Sequence, residues 1–369
     1  MTSQTGEKDK EKVTAKPQLT GYPSVDRPWL KYYTAEIQNA PLPECSLYEY
    51  LWNCNKDHQQ DYALNFFGKK MTFGRLFEMI DEAAKAFRAM GVKEGEIVSI
   101  VTISTVAGVV CFYALNRIGA VANYLNVLAE EKDLADFFEE AQSKVVVSLD
   151  LFAGKVLGAA KRCAAKKCVV EKVVVFPLDL GMPLMTKIGY HMKTRKLDRS
   201  WKEDELAMVW SDFVRKADGQ PEIDEKQAAI SESPLAHTGG TTGTPKAVML
   251  SDRAMNAVAS QYIVASGIKR REVFLNLMIP FVVYGFLANV HIPLCLGLQD
   301  VIIPKFEGKE WSNYIRKYHP NHILAVPAYV SPMLTDPKVQ QMDLSEFISA
   351  GVGGDGMTDE IENGLNALF

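Results

Sequence analysis

The sequence lacks the features that mark several classes of protein. It contains no uninterrupted apolar run of the roughly 18 residues that a membrane-spanning helix requires. Its net charge of -4 provides no general positive field, and no stripe of basic and aromatic residues suggests nucleic-acid binding. Residues 1–16 are rich in Lys, Glu and Thr and have no apolar core, which predicts a disordered leader and not a signal peptide.

Metal-binding and disulfide patterns are also missing. None of the six cysteines forms a Cys-x-x-Cys pair, and the six histidines show no ligand spacing. Neither a zinc site nor a disulfide framework is therefore indicated. We expect reduced thiols in a cytoplasmic protein, and we leave the oligomeric state open.

The 369 residues, 47% of them hydrophobic, suffice for two or three domains. Short β-branched runs alternate with helical patterns, which is typical of parallel sheets covered on both faces. The pattern predicts strands at 121–125, 145–149 and 347–349, and helices at 286–296 and 311–318. We therefore predict an α/β fold with two doubly wound, mostly parallel sheets. The predicted parts are a leader and lead-in at 1–45, a first α/β subdomain at 46–177, an irregular connecting region at 178–230, and a second α/β subdomain at 231–369.

The most informative segment, residues 235–246, is rich in glycine and threonine and ends in a lysine. Glycines let successive backbone N–H groups point at one anion, hydroxyl groups add neutral donors, and one ammonium group adds charge. The segment is predicted to bind a polyphosphate. Its candidate ligands are Thr238, Gly239, Gly240, Thr241, Thr242, Gly243, Thr244 and Lys246.

Two other interpretations of this segment are a nucleotide-hydrolase P-loop and a mobile hairpin without a ligand. A P-loop has Lys after a glycine, then Ser or Thr, and opens a helix. Here Lys246 follows Pro245 and precedes Ala247, and a strand-like run comes next. We predict a loop between two strands, followed by a helix with Ser251 and Asp252 as its N-cap signal.

Residues 235–246 resemble the phosphate-loop signature of the AMP-forming acyl- and aryl-CoA synthetases, a family that includes luciferases and peptide-synthetase adenylation domains. Every position fits the usual pattern, although Gly239 and Ala247 are minority choices. The resemblance extends roughly from Tyr48 to the last residue. It implies that two α/β units pack together and bind ligands in the cleft between them, near the carboxyl ends of the strands.

A second glycine-rich segment, residues 349–357, resembles the turn of this family that packs on adenine and on the acyl group. The matching nucleotide-binding positions are Gly353, Gly354, Asp355 and Gly356, and Asp355 departs from the usual alanine. The segment also contains the dinucleotide fingerprint Gly-x-Gly-x-x-Gly, beginning at Gly351. That alternative lacks the acidic residue expected about 20 positions later and lies at the end of the fold.

A third segment, residues 279–285, resembles the acid-substrate motif of the family. The resemblance implies an acyl pocket formed by Phe281, Val283, Tyr284 and Gly351. No charged residue interrupts this segment, which favours a medium- or long-chain fatty acid over an amino acid that needs a partner for its ammonium group. We predict that His291 is a core histidine.

Basic residues cluster at 155–172 and again at 191–199, the latter beside apolar residues 182–190. We interpret both clusters as solvated surface. The alternative for Met182 to Arg199 is weak peripheral contact with a membrane surface.

The resemblance implies that a carboxylate attacks the α-phosphate of ATP, giving acyl-AMP and pyrophosphate, after which coenzyme A takes the acyl group. Thr238 and Lys246 are then the candidate catalytic residues, and Thr238 a candidate ligand of Mg²⁺. Family members usually continue well beyond the position of Phe369, with a small barrel and a mobile C-terminal domain. We therefore expect this chain to be an N-terminal portion that is inactive alone.

Two alternatives to an acyl-CoA synthetase stay open at this stage. One is a peptide-synthetase-type or aryl acid adenylation domain, and the first of these should show an acidic residue in the acid pocket. The other is a non-catalytic nucleotide-binding module.

Overall fold

The structure of the protein is a computed structural model that describes residues 19–164, 169–223, 235–237 and 246–368, with only the backbone at 164 and 235–237. The chain divides into two compact units, Met1–Pro41 and Leu42–Phe369. The described part of the first unit contains two short helices, α1 (Pro23–Asp26) and α2 (Ala35–Gln38). The Asp26 carboxylate accepts hydrogen bonds from the Thr20 and Gly21 N–H groups at 2.9 and 2.8 Å, which fixes the start of α1.

The second unit is built on two β-sheets with helices between and around their strands. The strands are β1 (Tyr62–Phe66), β2 (Lys69–Thr72), β3 (Ile97–Val101), β4 (Val121–Leu125), β5 (Val145–Leu149), β6 (Lys172–Phe176), β7 (Ala207–Val209), β8 (Leu235–His237), β9 (Ala247–Met249), β10 (Val273–Asn276), β11 (Gln299–Ile302), β12 (His322–Ala325) and β13 (Ser349–Val352). The helices are α3 (Leu47–Asn55), α4 (Phe73–Ala89), α5 (Val106–Arg117), α6 (Glu131–Ala141), α7 (Ala153–Ala164), α8 (Leu184–Lys193), α9 (Trp210–Arg215), α10 (Asp252–Ser266), α11 (Ile292–Leu296), α12 (Trp311–Tyr318), α13 (Pro327–Thr335) and α14 (Asp359–Leu368).

One sheet has seven strands in the order β7-β6-β5-β3-β4-β8-β9, and the other has six in the order β13-β12-β10-β11-β1-β2. All neighbouring strands are parallel except the pairs β1–β2 and β8–β9. The predicted α/β fold with two mostly parallel sheets is confirmed. Strands β4 and β5 are buried along their whole length, as expected for strands that helices cover on both faces.

Each of two antiparallel hairpins belongs to a different sheet from the one that its position in the sequence predicts. The β1–β2 hairpin precedes every strand of the seven-stranded sheet, yet it joins the six-stranded sheet, where Leu64 pairs with Asp300. The β8–β9 hairpin joins the seven-stranded sheet beside β4. The sheets therefore do not follow the residue blocks 46–177 and 231–369.

The prediction of an irregular connection at 178–230 is wrong for its described part. Helix α8, strand β7 and helix α9 lie in this region, and β7 extends the seven-stranded sheet by pairing with β6. Trp210 and Phe213 of α9 are buried, which anchors the segment to the core. Of the glycines that suggest breaks in this region, Gly181 and Gly219 have positive φ angles and lie before α8 and after α9, whereas Gly189 lies within α8.

Two smaller differences concern the elements near the end of the chain. The helix predicted at 286–296 begins earlier as a π-helix over Tyr284–His291, which continues into α11. The strand predicted at 347–349 is β13, which begins at Ser349. In both segments the apolar pattern fits more than one starting residue, so the sequence alone does not determine where the element begins.

Candidate functional site

The predicted phosphate segment lies in sequence between strands β8 and β9, which pair with each other. Strand β8 is parallel to β4, with Asn123 opposite Leu235, and β9 returns antiparallel, with His237 opposite Ala247. The segment therefore joins two strands, as predicted, and does not open a helix. Because β8 is parallel to β4, the loop leaves the sheet at its carboxyl edge, where open α/β sheets bind ligands.

Most of the predicted phosphate ligands lie outside the described residues. They are Thr238, Gly239, Gly240, Thr241, Thr242, Gly243 and Thr244. Lys246 is described, and it is an exposed residue immediately before β9. It stands at the base of the hairpin loop, at the same carboxyl edge. The assignment of these residues to phosphate stays a prediction.

The helix after the hairpin begins as the sequence predicts. The Ser251 hydroxyl accepts a hydrogen bond from the Ala254 N–H at 3.2 Å and so caps α10. Asp252 has a further role, because its buried carboxylate accepts from Asn116 Nδ2 at 3.0 Å through each oxygen. This contact ties α10, and with it the hairpin, to helix α5.

The second glycine-rich segment forms a turn at the carboxyl edge of the six-stranded sheet. The Gly353 N–H donates to the Ala325 carbonyl at 3.1 Å, which continues the pairing of β13 with β12. Gly354 has a φ of +84°, in the left-handed region that favours glycine. A carbon added at Gly353 or Gly356 would meet no described atom within 4 Å. The backbone of the turn therefore leaves space for a flat ligand.

Asp355, the residue that departs from the resembled motif, has a local structural role. Its Oδ1 accepts a hydrogen bond from the Gly356 N–H at 2.7 Å, and its side chain is exposed. Gly351 lies inside β13, where a Cβ atom would approach Leu324 Cδ2 to 2.3 Å. The first glycine of a dinucleotide fingerprint forms the tight turn instead, so the placement of Gly351 argues against that alternative.

The third segment folds back on itself at the start of the π-helix. A Cβ atom at Gly285 would lie 1.8 Å from the Ile279 carbonyl oxygen, so only glycine fits. The Gly285 N–H donates to the Val282 carbonyl at 2.8 Å. Phe281 and Val283 are half-buried and pack against the largest hydrophobic core.

Tyr284 brings this segment to the glycine-rich turn. Its hydroxyl donates to the Ala325 carbonyl at 3.4 Å, the same oxygen that accepts from the Gly353 N–H. Burial raises the pKa of Tyr284 to about 12, so its hydroxyl is neutral and remains a donor at physiological pH. Two segments about 70 residues apart in sequence thus meet at the carboxyl end of β12.

The carboxyl ends of the two sheets also meet. The Ser104 hydroxyl, beyond β3, donates to the Met278 carbonyl, beyond β10, at 2.7 Å. A narrow crevice of about 10 Å³ lies at this junction. From the seven-stranded side it is lined by Thr102, Thr105, Gly108, Phe112 and Tyr124, and from the other side by Asn276, Pro280, Phe286, Val290 and Ile302.

A buried polar cluster that the sequence did not predict lies beside this crevice. Asn276 Nδ2 donates to the Asn289 carbonyl at 2.6 Å and to Asp300 Oδ2 at 3.2 Å. One oxygen of each of these three side chains has no hydrogen-bond partner in the described part of the chain. Burial raises the pKa of Asp300 well above its ordinary value, which favours its neutral form. The sequence signal for this cluster is that Asn276, Asn289 and Asp300 interrupt otherwise apolar segments.

His291 is a core histidine, as predicted. Its Nδ1 lies 3.0 Å from the Tyr113 hydroxyl and its Nε2 lies 2.9 Å from Asn256 Oδ1. Burial lowers the pKa of His291 to about 3, so the ring is neutral. The histidine therefore holds α5, α10 and the π-helix together and is not available as a ligand.

The first basic cluster is largely occupied by local partners. Lys161 forms an ion pair with Asp204 at 2.5 Å, and Lys172 Nζ donates to the Glu205 carbonyl at 2.6 Å. Among the described residues, the cysteines at positions 45, 54, 111, 163 and 295 form no disulfide bond. Among the described helices, none has the length and apolarity needed to cross a bilayer.

Comparison with known proteins gives consistent matches. The chain is 27% identical to the long-chain-fatty-acid–CoA ligase of Bacillus subtilis (strain 168) over 346 residues, which are 91% of this chain and 60% of that protein. It is 29% identical to the acetyl-coenzyme A synthetase of Penicillium chrysogenum over 186 residues, which are 49% of this chain and 25% of that protein. The chain thus spans well under two thirds of the length of these relatives.

Solved structures share the fold at low sequence identity. The anthranilate CoA ligase AuaEII in complex with anthranoyl-AMP matches with a TM-score of 0.72 and 18% identity, over 90% of this chain and 59% of that one. ATP-bound MatB from Rhodopseudomonas palustris matches with a TM-score of 0.68 and 18% identity, over 87% of this chain and 57% of that one. The family model described as AMP-binding enzyme matches residues 51–369, most of the chain, and the chain therefore belongs to the AMP-binding enzyme family.

Proposed function

We propose that this chain forms the nucleotide- and acid-binding portion of an acid–thiol ligase, which activates a carboxylic acid with ATP and transfers it to coenzyme A. Membership of the AMP-binding enzyme family supports this proposal. The observation that carries it is the shared Ala325 carbonyl, because Tyr284 of the predicted acid segment and Gly353 of the predicted adenine turn both bond to it. An acid and an adenine bound to these two segments would be neighbours.

The proposed reaction has two balanced steps. A carboxylate oxygen attacks the α-phosphorus of ATP, the bond to the bridging oxygen breaks, and pyrophosphate leaves with the electron pair. The sulfur of coenzyme A then attacks the acyl carbonyl, its proton is lost, and AMP leaves. No protein nucleophile takes part, so the contribution of the chain is positioning and neutralisation of charge.

Each predicted site residue has a place in this proposal. The loop from Thr238 to Lys246 would hold the β- and γ-phosphates, and the turn Gly353–Gly356 would support adenine through its backbone. A magnesium ion would neutralise phosphate charge, with Thr238 as the predicted ligand. Among the described residues, no group of three or more His, Cys, Asp or Glu side chains could hold a metal.

A medium- or long-chain fatty acid is the proposed substrate class. Phe281 and Val283 pack against an apolar core, and Tyr284 is uncharged because burial raises its pKa to about 12. The segment 277–287 contains no acidic residue that could pair with the ammonium group of an amino acid. The name of the Bacillus relative also points to a long-chain fatty acid. An aryl acid is the second candidate, because the AuaEII structure holds anthranoyl-AMP.

Two ligands that differ only in their phosphates provide a direct test. ATP contains the β- and γ-phosphates that Lys246 is proposed to contact, whereas a non-hydrolysable acyl-sulfamoyl adenosine has neither. We expect Lys246→Ala to raise the Kd for ATP by roughly 10- to 100-fold, the effect of one charge-assisted hydrogen bond, and to leave the Kd of the analogue almost unchanged. Calorimetry on the purified chain measures both.

The control and the substrate class use the same assay. Lys338→Ala removes an exposed lysine of the loop after α13 and should change neither Kd. Analogues of increasing acyl length should bind more tightly up to a limit, and Val283→Asp should weaken the long-chain analogues while Tyr284→Phe retains them. If Lys246→Ala raised the Kd of ATP and of the analogue equally, the assignment of the lysine to the β- and γ-phosphates would be rejected. Tighter binding of an aryl analogue than of the fatty acyl analogues would favour the second candidate.

A further inference from the structure

A helix whose apolar face is directed to solvent lies in the region that the sequence analysis treated as a connection. Helix α8 has no buried residue, and its side chains Leu184, Met185, Ile188 and Met192 are 72, 77, 46 and 73% exposed. Leu184, Ile188 and Met192 are spaced by four residues and Met185 is adjacent, so all four occupy one face of the helix. A soluble surface helix usually directs such a face to the core.

The helix is held firmly in this orientation. Tyr190, on another face of α8, packs against the largest core. The buried Asp179 carboxylate binds Lys187 Nζ at 3.0 Å and His191 Nε2 at 2.7 Å. These contacts fix α8 to the molecule through its polar and aromatic side chains, and they leave the apolar face outward.

The surroundings of this face are positively charged, although the whole chain has a net charge of -4. No acidic residue occurs from Leu180 to Leu197, whereas Lys187, Lys193, Arg195 and Lys196 do. In the described part of the chain, Lys193, Arg195 and Lys196 form no ion pair, and all three are exposed. An apolar face bordered by uncompensated cations is complementary to a bilayer surface with anionic headgroups.

An amphipathic crevice of about 260 Å³ adjoins the C-terminal end of α8. Leu197 and Leu151, which are 47 and 40% exposed, line it together with Trp201 and Trp210. Arg199 and Lys202 also line it, together with the acidic Asp150 and Asp198. Tryptophan beside basic residues is characteristic of protein surfaces at the membrane–water interface. The crevice extends the character of the α8 face along the same surface.

We propose that α8 and the adjoining Leu197 crevice form a peripheral docking surface for anionic lipid bilayers, with Leu184, Met185, Ile188 and Met192 inserted among the acyl chains. Lys193, Arg195 and Lys196 would contact the headgroups. Single exposed side chains cannot span a bilayer, so the contact is superficial and reversible. The surface would hold the proposed acid-binding site close to the phase in which long-chain acids dissolve, although docking itself does not depend on the proposed function.

Vesicle co-sedimentation of the purified chain tests this proposal without any assay of activity. We expect sedimentation with vesicles that contain phosphatidylglycerol, little with pure phosphatidylcholine, and weakening as salt is added. Arg195→Glu combined with Lys196→Glu should lower the partition constant about 20-fold or more, because each cation near an anionic surface contributes roughly fivefold. Met185→Ser combined with Met192→Ser should lower it by roughly tenfold for each side chain.

The matched control is Lys69→Glu combined with Lys338→Glu, which makes the same change of net charge on exposed positions near the six-stranded sheet. It should bind vesicles like the wild type, and the circular dichroism of all variants should show unchanged folding. Failure of the wild type to sediment with anionic vesicles would overturn the proposal. Binding that is indifferent to the methionine pair would also overturn it, because the contact would then be electrostatic only.

A protein partner is the other occupant that such a face could have. Sedimentation velocity in the absence of lipid distinguishes this case. Self-association that Met185→Ser with Met192→Ser abolishes, together with no vesicle binding, would show that the face is a contact between copies of the chain and would reject the lipid surface.

Discussion

Two buried titratable residues near the π-helix have pKa values that burial shifts in opposite directions, and both shifts favour the neutral form. Burial raises the pKa of Asp300 well above its ordinary value of 3.8 and lowers the pKa of His291 from 6.5 to about 3. The pKa of the buried Tyr113, which contacts His291, is also raised well above its ordinary value, chiefly by burial. A neutral acid and a neutral imidazole allow the polar groups behind the candidate site to be buried without a charge. Because each residue has a different pKa in the folded and unfolded protein, the free energy of unfolding depends on pH.

We expect the two residues to act on the pH dependence of stability with opposite signs. Between about pH 4 and the folded pKa of Asp300, this carboxyl group is ionised only in the unfolded chain. The free energy of unfolding therefore falls by about 1.4 kcal/mol per pH unit in this range. Below about pH 6.5, His291 is protonated only when unfolded, so its contribution falls as the pH drops from 6.5 toward 3. The two slopes oppose each other between these limits, and only that of Asp300 remains above pH 6.5.

Urea unfolding near pH 5, 6.5 and 8 measures these contributions. Asp300→Asn should remove the decline that this carboxyl group causes, and it should reveal a rise between pH 5 and 6.5 that His291 causes. His291→Gln should remove that rise. An unchanged slope above pH 6.5 in Asp300→Asn would show that the carboxyl group is already ionised in the folded protein.

Among the helices and strands, the sequence predicts those whose pattern is local. Strands β4 and β5 and helix α12 have the predicted bounds, because continuous apolar runs and helical spacing determine them without reference to the rest of the chain. The β1–β2 hairpin was missed because its strands are short and its neighbour β11 lies more than 200 residues away in sequence. Helix α8 was missed because Pro183 before it and Gly189 within it suggest an irregular segment, although its apolar residues have helical spacing.

The π-helix shows how one residue can change an element. Its apolar pattern also suits an α-helix, but Gly285 allows the Ile279 carbonyl to approach where a side chain would stand. This contact shapes the loop that carries Phe281 and Val283, and it precedes the Tyr284 hydrogen bond. Such a contact has no signature in the sequence beyond a glycine.

We expect Gly285→Ala to destabilise the protein by about 1–3 kcal/mol, the usual cost of overpacking, because the new methyl group would lie 1.8 Å from the Ile279 carbonyl oxygen. It should also weaken binding of acyl-sulfamoyl adenosine by displacing Tyr284. Gly154→Ala in α7 is the matched control, since a Cβ there meets no described atom within 4 Å. That control should be neutral or stabilising by up to about 1 kcal/mol. Equal midpoints of thermal unfolding for the two variants would contradict the proposed packing.

In the Leu42–Phe369 unit, the two sheets share one hydrophobic core. That core contains Val98 and Tyr124 of the seven-stranded sheet and Phe66 and Ile302 of the six-stranded sheet. The pairing that produces it depends on contacts between distant residues, which periodicity cannot specify. The motif resemblance located the candidate site along the chain because its glycines and Lys246 are contiguous, but the meeting of Tyr284 with Gly353 at one carbonyl required the fold.

Phe286 is the residue through which this shared core can be tested. Its ring, beside the six-stranded sheet, is 5.6 Å from the Phe112 ring of α5 and 6.1 Å from the Tyr124 ring of β4, measured between centroids. Because buried rings couple the two sheets, we expect them to unfold together. Phe286→Ala should therefore lower the hydrogen-exchange protection of β5 and β12 by the same amount, about 3–5 kcal/mol. Leu128→Ala, at a position that is 80% exposed, should change neither strand by more than about 0.5 kcal/mol. Loss of protection in β12 alone would mean that the sheets open independently. The candidate site would then lie between two parts of the protein that unfold separately.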